Sequence, residues 1–236
     1  MNFFDQSYII NLPERIDRRR KMKQELKMLG LVEPSRVAFF SAIKPADKGD
    51  FPGLGARGCF LSHLAVLREA ERKNLDNVLI MEDDLLFTRF LIQQQDEIVN
   101  ELQQLNWDIA YLGHGENLVG STKGVFQIYS QPLILAHFVA FNRKAIAQMV
   151  DALEAVLSRP PGHPDGGPMH VDGAYSTFRM QHPEITTLIA NPSLGTQRSS
   201  PSNITGYKWF ETAPVLAQLV GVARSVKDLQ KRKTFT

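Results

Sequence analysis

Val78-Leu79-Ile80-Met81-Glu82-Asp83-Asp84 decides how this chain is read: an apolar run that ends abruptly in three carboxylates. A run so short and unbroken fits a strand buried on both faces. Tyr8-Ile9-Ile10-Asn11-Leu12, halted by Pro13, reads the same way. Between them, Ile16, Met22, Leu26 and Leu29 recur among charges, so a helix fits Arg15 to Leu29, with Gly30 placed to end it. Phe60, Leu64 and Leu67 mark one face of a second helix after a Pro/Gly loop from Lys44 to Gly55. Further helices fit Thr88 to Leu105, Arg143 to Leu157 and Asp172 to Met180. Strands fit Arg36 to Ala42, Asp108 to Leu112, Val125 to Tyr129, Leu133 to Phe141 and Ile185 to Ile189. Strands alternating with helices predict an α/β fold with a mainly parallel central sheet and helices on both faces.

Composition sets the outer bounds. With 236 residues, 43% apolar and 22% charged, the chain is long enough for one substantial core and excludes disorder, collagen and coiled coil. A single cysteine, Cys59, forms neither an internal disulfide nor a Cys-based zinc cage. No apolar run reaches the length of a membrane span, and residues 1 to 6 lack a signal-peptide pattern, so the expectation is a cytoplasmic protein. The net charge of +2 is too weak to argue for nucleic acid. It is uneven, because residues 207 to 236 carry six Lys/Arg against two Asp/Glu. From Pro214 onward Val215, Leu216, Leu219, Val222, Val226 and Leu229 recur at helical spacing before Lys231-Arg232-Lys233. That predicts a C-terminal amphipathic helix with a basic tail, suited to a homodimer contact or a peripheral contact with an inner membrane.

Three adjacent carboxylates at a sheet edge repel one another and lose hydration unless something positive sits among them. A hard divalent cation, Mn²⁺ or Mg²⁺, answers that need; a solvated acidic loop or a helix cap is the plainer reading. Arg15, Arg18, Arg19 and Arg20 follow the first strand at a helix start, a pattern suited to phosphate and also common on solvated helix faces. Neither a dinucleotide fingerprint nor a P-loop is present. Gly55 to Leu64 marks a glycine-rich helix entry, but Ser62 and His63 are adjacent on a helix and do not face each other as a catalytic dyad. Residues 158 to 173 hold four prolines and four glycines, the composition of a long surface loop, either an active-site lid or a disordered insert.

Taken in order, these motifs resemble glycosyltransferase family 25, which includes bacterial lipooligosaccharide and animal procollagen galactosyltransferases. The resemblance rests on Ile10-Asn11-Leu12 with Arg15 and Arg18, then Gly55, Gly58, Cys59, Ser62 and His63, then Glu82-Asp83-Asp84. Weaker echoes follow at Trp107 to Gly113, His137 to Lys144, Asp172, Pro192 to Gln197 and Ser202-Asn203-Ile204. Asn203 stands where the family pattern has Asp, and the Pro/Gly insert at 158 to 171 is longer than usual. The resemblance spans about residues 7 to 206.

The resemblance implies a GT-A-type fold over residues 1 to 206, a UDP-sugar donor, a divalent cation and inverting transfer to a hydroxyl of a surface glycan such as lipopolysaccharide. It implies that Asn11, Leu12, Arg15, Arg18, Ser62, His63 and Asp83 hold the nucleotide sugar and that Glu82 and Asp84 hold Mn²⁺ or Mg²⁺. Galactose is the favoured sugar. Transfer needs a base for the acceptor hydroxyl, and Asp172, after the flexible loop, is the first choice; it fits a helix N-cap equally well. Glu116, Asp165 and Glu184 stand in reserve, with His170 as an assistant or metal ligand. Two other readings keep their place: a catalytically inactive nucleotide-sugar-binding protein, and a glycoside hydrolase with paired carboxylates.

Overall fold

A computed structural model describes residues 3–31, 36–118 and 123–198. The elements run β1 (Gln6–Asn11), α1 (Ile16–Met28), β2 (Val37–Ser41), α2 (Leu54–Arg72), β3 (Asn77–Glu82), β4 (Leu85–Phe87) and α3 (Arg89–Gln104). They continue with β5 (Ile109–Tyr111), β6 (Phe126–Ile128), β7 (Phe138–Asn142), α4 (Arg143–Ser158), α5 (Val171–Gln181), β8 (Thr187–Ala190) and β9 (Gly195–Gln197). Seven strands form one sheet in the order β2-β1-β3-β7-β5-β8-β6. β2, β1, β3, β5 and β8 point one way; β7 and β6 run against them. This is the mixed, mostly parallel α/β sheet of the GT-A type.

The alternation of side chains along β3 builds two cores. Val78 and Ile80 join Phe60, Leu64 and Leu67 of α2, Met149 of α4 and Tyr175 of α5 on one face. Leu79 and Met81 join Met22 and Leu26 of α1 and Leu91, Ile98 and Leu102 of α3 on the other. A strand buried on both faces must be apolar at every position, so β3 reads as a continuous run. Gly30, at φ +67°, ends α1 in a Schellman arrangement in which Leu31 N–H donates to Leu26 O and Gly30 N–H to Lys27 O.

Three expectations change. The strand expected at Leu133 to Phe141 begins only at Phe138; the segment before it is held by α5 side chains instead, Ser176 to Leu133 and Asp172 to Leu135. A two-stranded ribbon, β4 against β9, arises where no strand was expected, pairing Leu85 with Gln197 and Phe87 with Gly195. The Pro/Gly loop folds on itself: Arg159 donates to the carbonyls of Asp165 and Gly166, and a Cβ at Gly167 would meet Pro160 O at 2.0 Å. Ser202-Asn203-Ile204 and the C-terminal amphipathic helix and tail lie outside the described residues.

Candidate active site

β1, β2 and β3 end at the same edge, and the chain crosses from β2 to the far side of β1 to make β3. Such a switch point opens a crevice beyond the carboxyl ends of the strands. Here it is a cleft of about 430 Å³. Its wall includes Leu12, Arg15, Arg18, Cys59, Ser62 and Glu82-Asp83-Asp84, along with Lys44, Gln197 and Arg198. Asn11, buried at the end of β1, sits behind that wall and donates Nδ2 to Asp83 Oδ2 at 2.7 Å.

The charges of the cleft pair off in a definite way. Arg18 Nη1 lies 2.8 Å from Asp83 Oδ1 and 3.3 Å from Asp84 Oδ2. Arg15 forks onto Asp17 and holds its carboxyl down at about 2. Lys44 pairs with Glu14, and Arg198 with Glu25. One guanidinium is thus shared by Asp83 and Asp84, while Glu82 faces His63 Nε2 at 3.7 Å. Asp84 Oδ1 is buried with no hydrogen-bond partner, and burial together with Glu82 pushes the carboxyl up to about 7 against the pull of Arg18 and Arg198. Burial, the largest single influence, raises Glu82 too, but His63, His137 and Arg18 together leave it below its ordinary value.

His63 enters from α2 and is wholly enclosed. Its Nδ1 lies 2.9 Å from the Tyr175 hydroxyl, and its Nε2 lies 3.7 Å from Glu82 Oε1. Cys59, one turn earlier, places Sγ 3.8 Å from the same oxygen. Burial, then the charges of Glu82 and Asp172, push the Cys59 thiol well up. Ser62 uses both its hydrogen-bonding roles inside the protein, accepting from Ile43 N–H and donating to Gly58 O. A Cβ at Gly58 would meet Ile43 O at 2.8 Å, so the glycine lets α2 approach the Ile43–Pro45 wall. Ser62 thus shapes the cleft from behind, and His63 meets Glu82 rather than the open space.

Asp172 lies outside the cleft lining. In the first turn of α5 it accepts Leu135 N–H through Oδ2 and Gly173 N–H through Oδ1; His170, exposed, is the cap residue. The charge of Asp172 is nevertheless felt at Cys59 on the cleft wall. Glu116 is half-buried beside His114, and Asp165 and Glu184 are exposed; none of the three lines the cleft. Of the four early arginines only Arg15 and Arg18 reach it, while Arg19 stacks over Phe39 at 4.4 Å.

Arg198, Glu25, Lys44 and Tyr175 escaped the sequence reading. Arg198 is adjacent to Gln197, which the reading did single out, but only the β4–β9 ribbon brings the pair to Asp84: Arg198 N–H donates to Asp84 O, and Gln197 Nε2 to Glu82 Oε2. Glu25 sits among the charges of α1 in the sequence, and nothing there marks it as buried.

Comparison with known proteins fits this geometry. A solved glycosyltransferase involved in glycosylation of the major capsid of PBCV-1 shares the fold, with a TM-score of 0.51 at 12% identity over 84% of this chain and 93% of that one. Procollagen galactosyltransferase 1-B of Xenopus laevis is 31% identical over 47% of this chain. A glycosyltransferase 25 family member of Aedes aegypti is 28% identical over 65% of it. An inactive glycosyltransferase 25 family member 3 of Homo sapiens is 30% identical over 47%. These relatives are far longer, and the match spans 21%, 28% and 22% of their respective lengths. The model of glycosyltransferase family 25, described as LPS biosynthesis protein, matches residues 4–128, from the first strand through both cleft motifs and on to β6. The chain belongs to glycosyltransferase family 25.

Proposed function

We propose that the chain transfers a sugar, with galactose the first candidate, from a UDP-sugar to a hydroxyl of a surface glycan, with inversion and with a divalent cation. The observation that carries this reading is the crowding of three carboxylates, Glu82, Asp83 and Asp84, around one guanidinium, Arg18, while Asp17, Glu14 and Glu25 each have a cation of their own. Once Asp84 is ionised, three carboxylates against one guanidinium leave a surplus of negative charge that a divalent ion matches, and oxygen donors suit Mn²⁺ or Mg²⁺. The buried, unpartnered Asp84 Oδ1 is the kind of atom such an ion satisfies. Glu82 and Asp84 would hold it, and it would supply charge neutralisation for the departing UDP.

The chain's own residues do the rest. Asn11 and Arg18 fix Asp83, so the acidic turn keeps its shape when the nucleotide enters. Arg15, with Leu12, offers the nucleotide a charged and an apolar wall. Asp172 remains the base we propose for the acceptor hydroxyl: its two backbone hydrogen bonds orient the carboxylate, and each oxygen keeps a second lone pair for a proton. Galactose is favoured by the likeness to procollagen galactosyltransferases, and a surface glycan by the family's link to LPS biosynthesis.

Incubation with a panel of UDP-sugars, Mn²⁺ and glycan acceptors tests the proposal. UDP release that needs Mn²⁺ and is lost in Asp84→Asn supports it. Turnover that survives EDTA overturns the cation assignment, UDP binding without any release points to an inactive binder, and glycan cleavage without nucleotide sugar overturns the transferase reading. Among the described residues no helix is long and apolar enough to cross a membrane. A peripheral membrane contact through residues 207–236 is therefore tested separately, by binding of the full chain to anionic vesicles at low salt.

A further inference from the structure

The cleft also carries a donor set of a different chemical kind. Cys59 and His63 are one helical turn apart on α2, so thiol and imidazole share a face, and Glu82 at the end of β3 meets them. Their three ligand atoms, one sulfur, one nitrogen and one oxygen, all lie within 4.8 Å of one another. The imidazole is fully enclosed, and its Nε2 has no hydrogen-bond partner although it is directed at Glu82 Oε1, 3.7 Å away. The other ring nitrogen meets the Tyr175 hydroxyl at 2.9 Å. In the tautomer whose Nδ1–H donates to that hydroxyl, Nε2 presents a lone pair to a carboxylate oxygen, and a metal ion can take the place that a proton on Nε2 holds in the other. A ring fixed through its far nitrogen is also how ligating histidines are held in metal sites.

We propose that Cys59 Sγ, His63 Nε2 and Glu82 Oε1 form a binding site for a borderline divalent cation of the Zn²⁺ or Co²⁺ class. Mixed sulfur, nitrogen and oxygen donors select such ions, whereas Mn²⁺ and Mg²⁺ prefer oxygen alone. Binding converts the Cys59 thiol to a metal-bound thiolate and releases one proton to solvent; no electrons are transferred. Cys59 and Glu82 line the cleft and His63 closes the back, so an ion held by the three would be reached from the cleft. If the proposed transferase reading holds, Glu82 belongs to both ions, and Zn²⁺ then inhibits by drawing that carboxylate away from Asp84.

The experiment is titration of the full chain with Co²⁺, read by absorption and by proton release, and it needs no turnover. Cys59 is the only cysteine, so a thiolate-to-cobalt charge-transfer band in the near ultraviolet reports this site alone. The expected result is that band, visible bands of tetrahedral cobalt, one proton released per ion, and displacement by Zn²⁺ but not by equimolar Mn²⁺. Cys59→Ser, checked for an unchanged far-ultraviolet spectrum, should lose the band entirely. Tyr175→Phe should keep the band and bind about 10- to 100-fold more weakly, the usual effect of losing a group that orients a ligating histidine. Saturation with Co²⁺ without a thiolate band overturns the site, whatever the enzyme's donor proves to be. Undiminished affinity in Tyr175→Phe overturns Nε2 as the ligating atom.

Discussion

Asp84 has two neighbours of opposite effect, Arg18 at 3.3 Å and the carboxylate of Glu82, and burial with Glu82 wins, so its carboxyl titrates near 7 instead of 3.8. From about pH 4 to about pH 7 the folded, metal-free protein therefore holds a proton that the unfolded chain releases, and its stability falls as pH rises through that window. Thermal unfolding of EDTA-treated protein should show a lower Tm at pH 8 than at pH 6. Mn²⁺ should abolish the difference, and Asp84→Asn should flatten it, with ~2–4 °C recovered for each kcal/mol relieved. Asp172 separates two roles at one residue. Asp172→Asn keeps an acceptor for Leu135 N–H, so a base predicts a kcat loss of about 10²- to 10⁴-fold at nearly constant Tm. Near-normal turnover would remove the assignment. The acidic triplet was legible because three carboxylates after an apolar run are rare and electrostatically awkward. That Arg18 neutralises Asp83 was not legible, since 65 residues separate the pair in sequence.

At the scale of elements, the long helices and β1 and β3 could be read from the sequence, because the period of their apolar residues records which face is buried. β4 and β9 could not, since strands of three residues are too short to show a period, and their pairing spans more than a hundred residues. That ribbon matters because it delivers Arg198 to Glu25, a pair enclosed on both sides. Arg198→Gln removes the guanidinium 3.1 Å from the buried Glu25 carboxylate and should cost about 3–5 kcal/mol, whereas the double change with Glu25→Gln should recover most of the loss in urea denaturation. α2 presents a second such contact. Gly58→Ala forces a methyl against Ile43 O, and the strain of about 1–3 kcal/mol should appear as lower stability together with weaker UDP binding, because the Ile43–Pro45 wall must move.

For the molecule as a whole, the α/β class was legible because strands and helices alternate, but the antiparallel courses of β7 and β6 were not. Local sequence carries no sign of strand direction; it follows from which connections cross the sheet. The strand expected from Leu133 shortened for a related reason: Leu135, at φ +74°, leaves the extended region, and its N–H turns to Asp172 rather than to a sheet neighbour.

The three carboxylates that share Arg18 at the cleft also govern the sequence of events in time. Above about pH 7, where Asp84 is ionised, this acidic turn repels a nucleoside diphosphate brought against it, so the donor enters more readily after, or together with, a divalent ion. Kinetics should then be ordered, with Mn²⁺ ahead of the nucleotide. UDP alone should bind weakly, and more tightly as added salt screens the repulsion, the reverse of the usual salt dependence for an anion meeting a basic site.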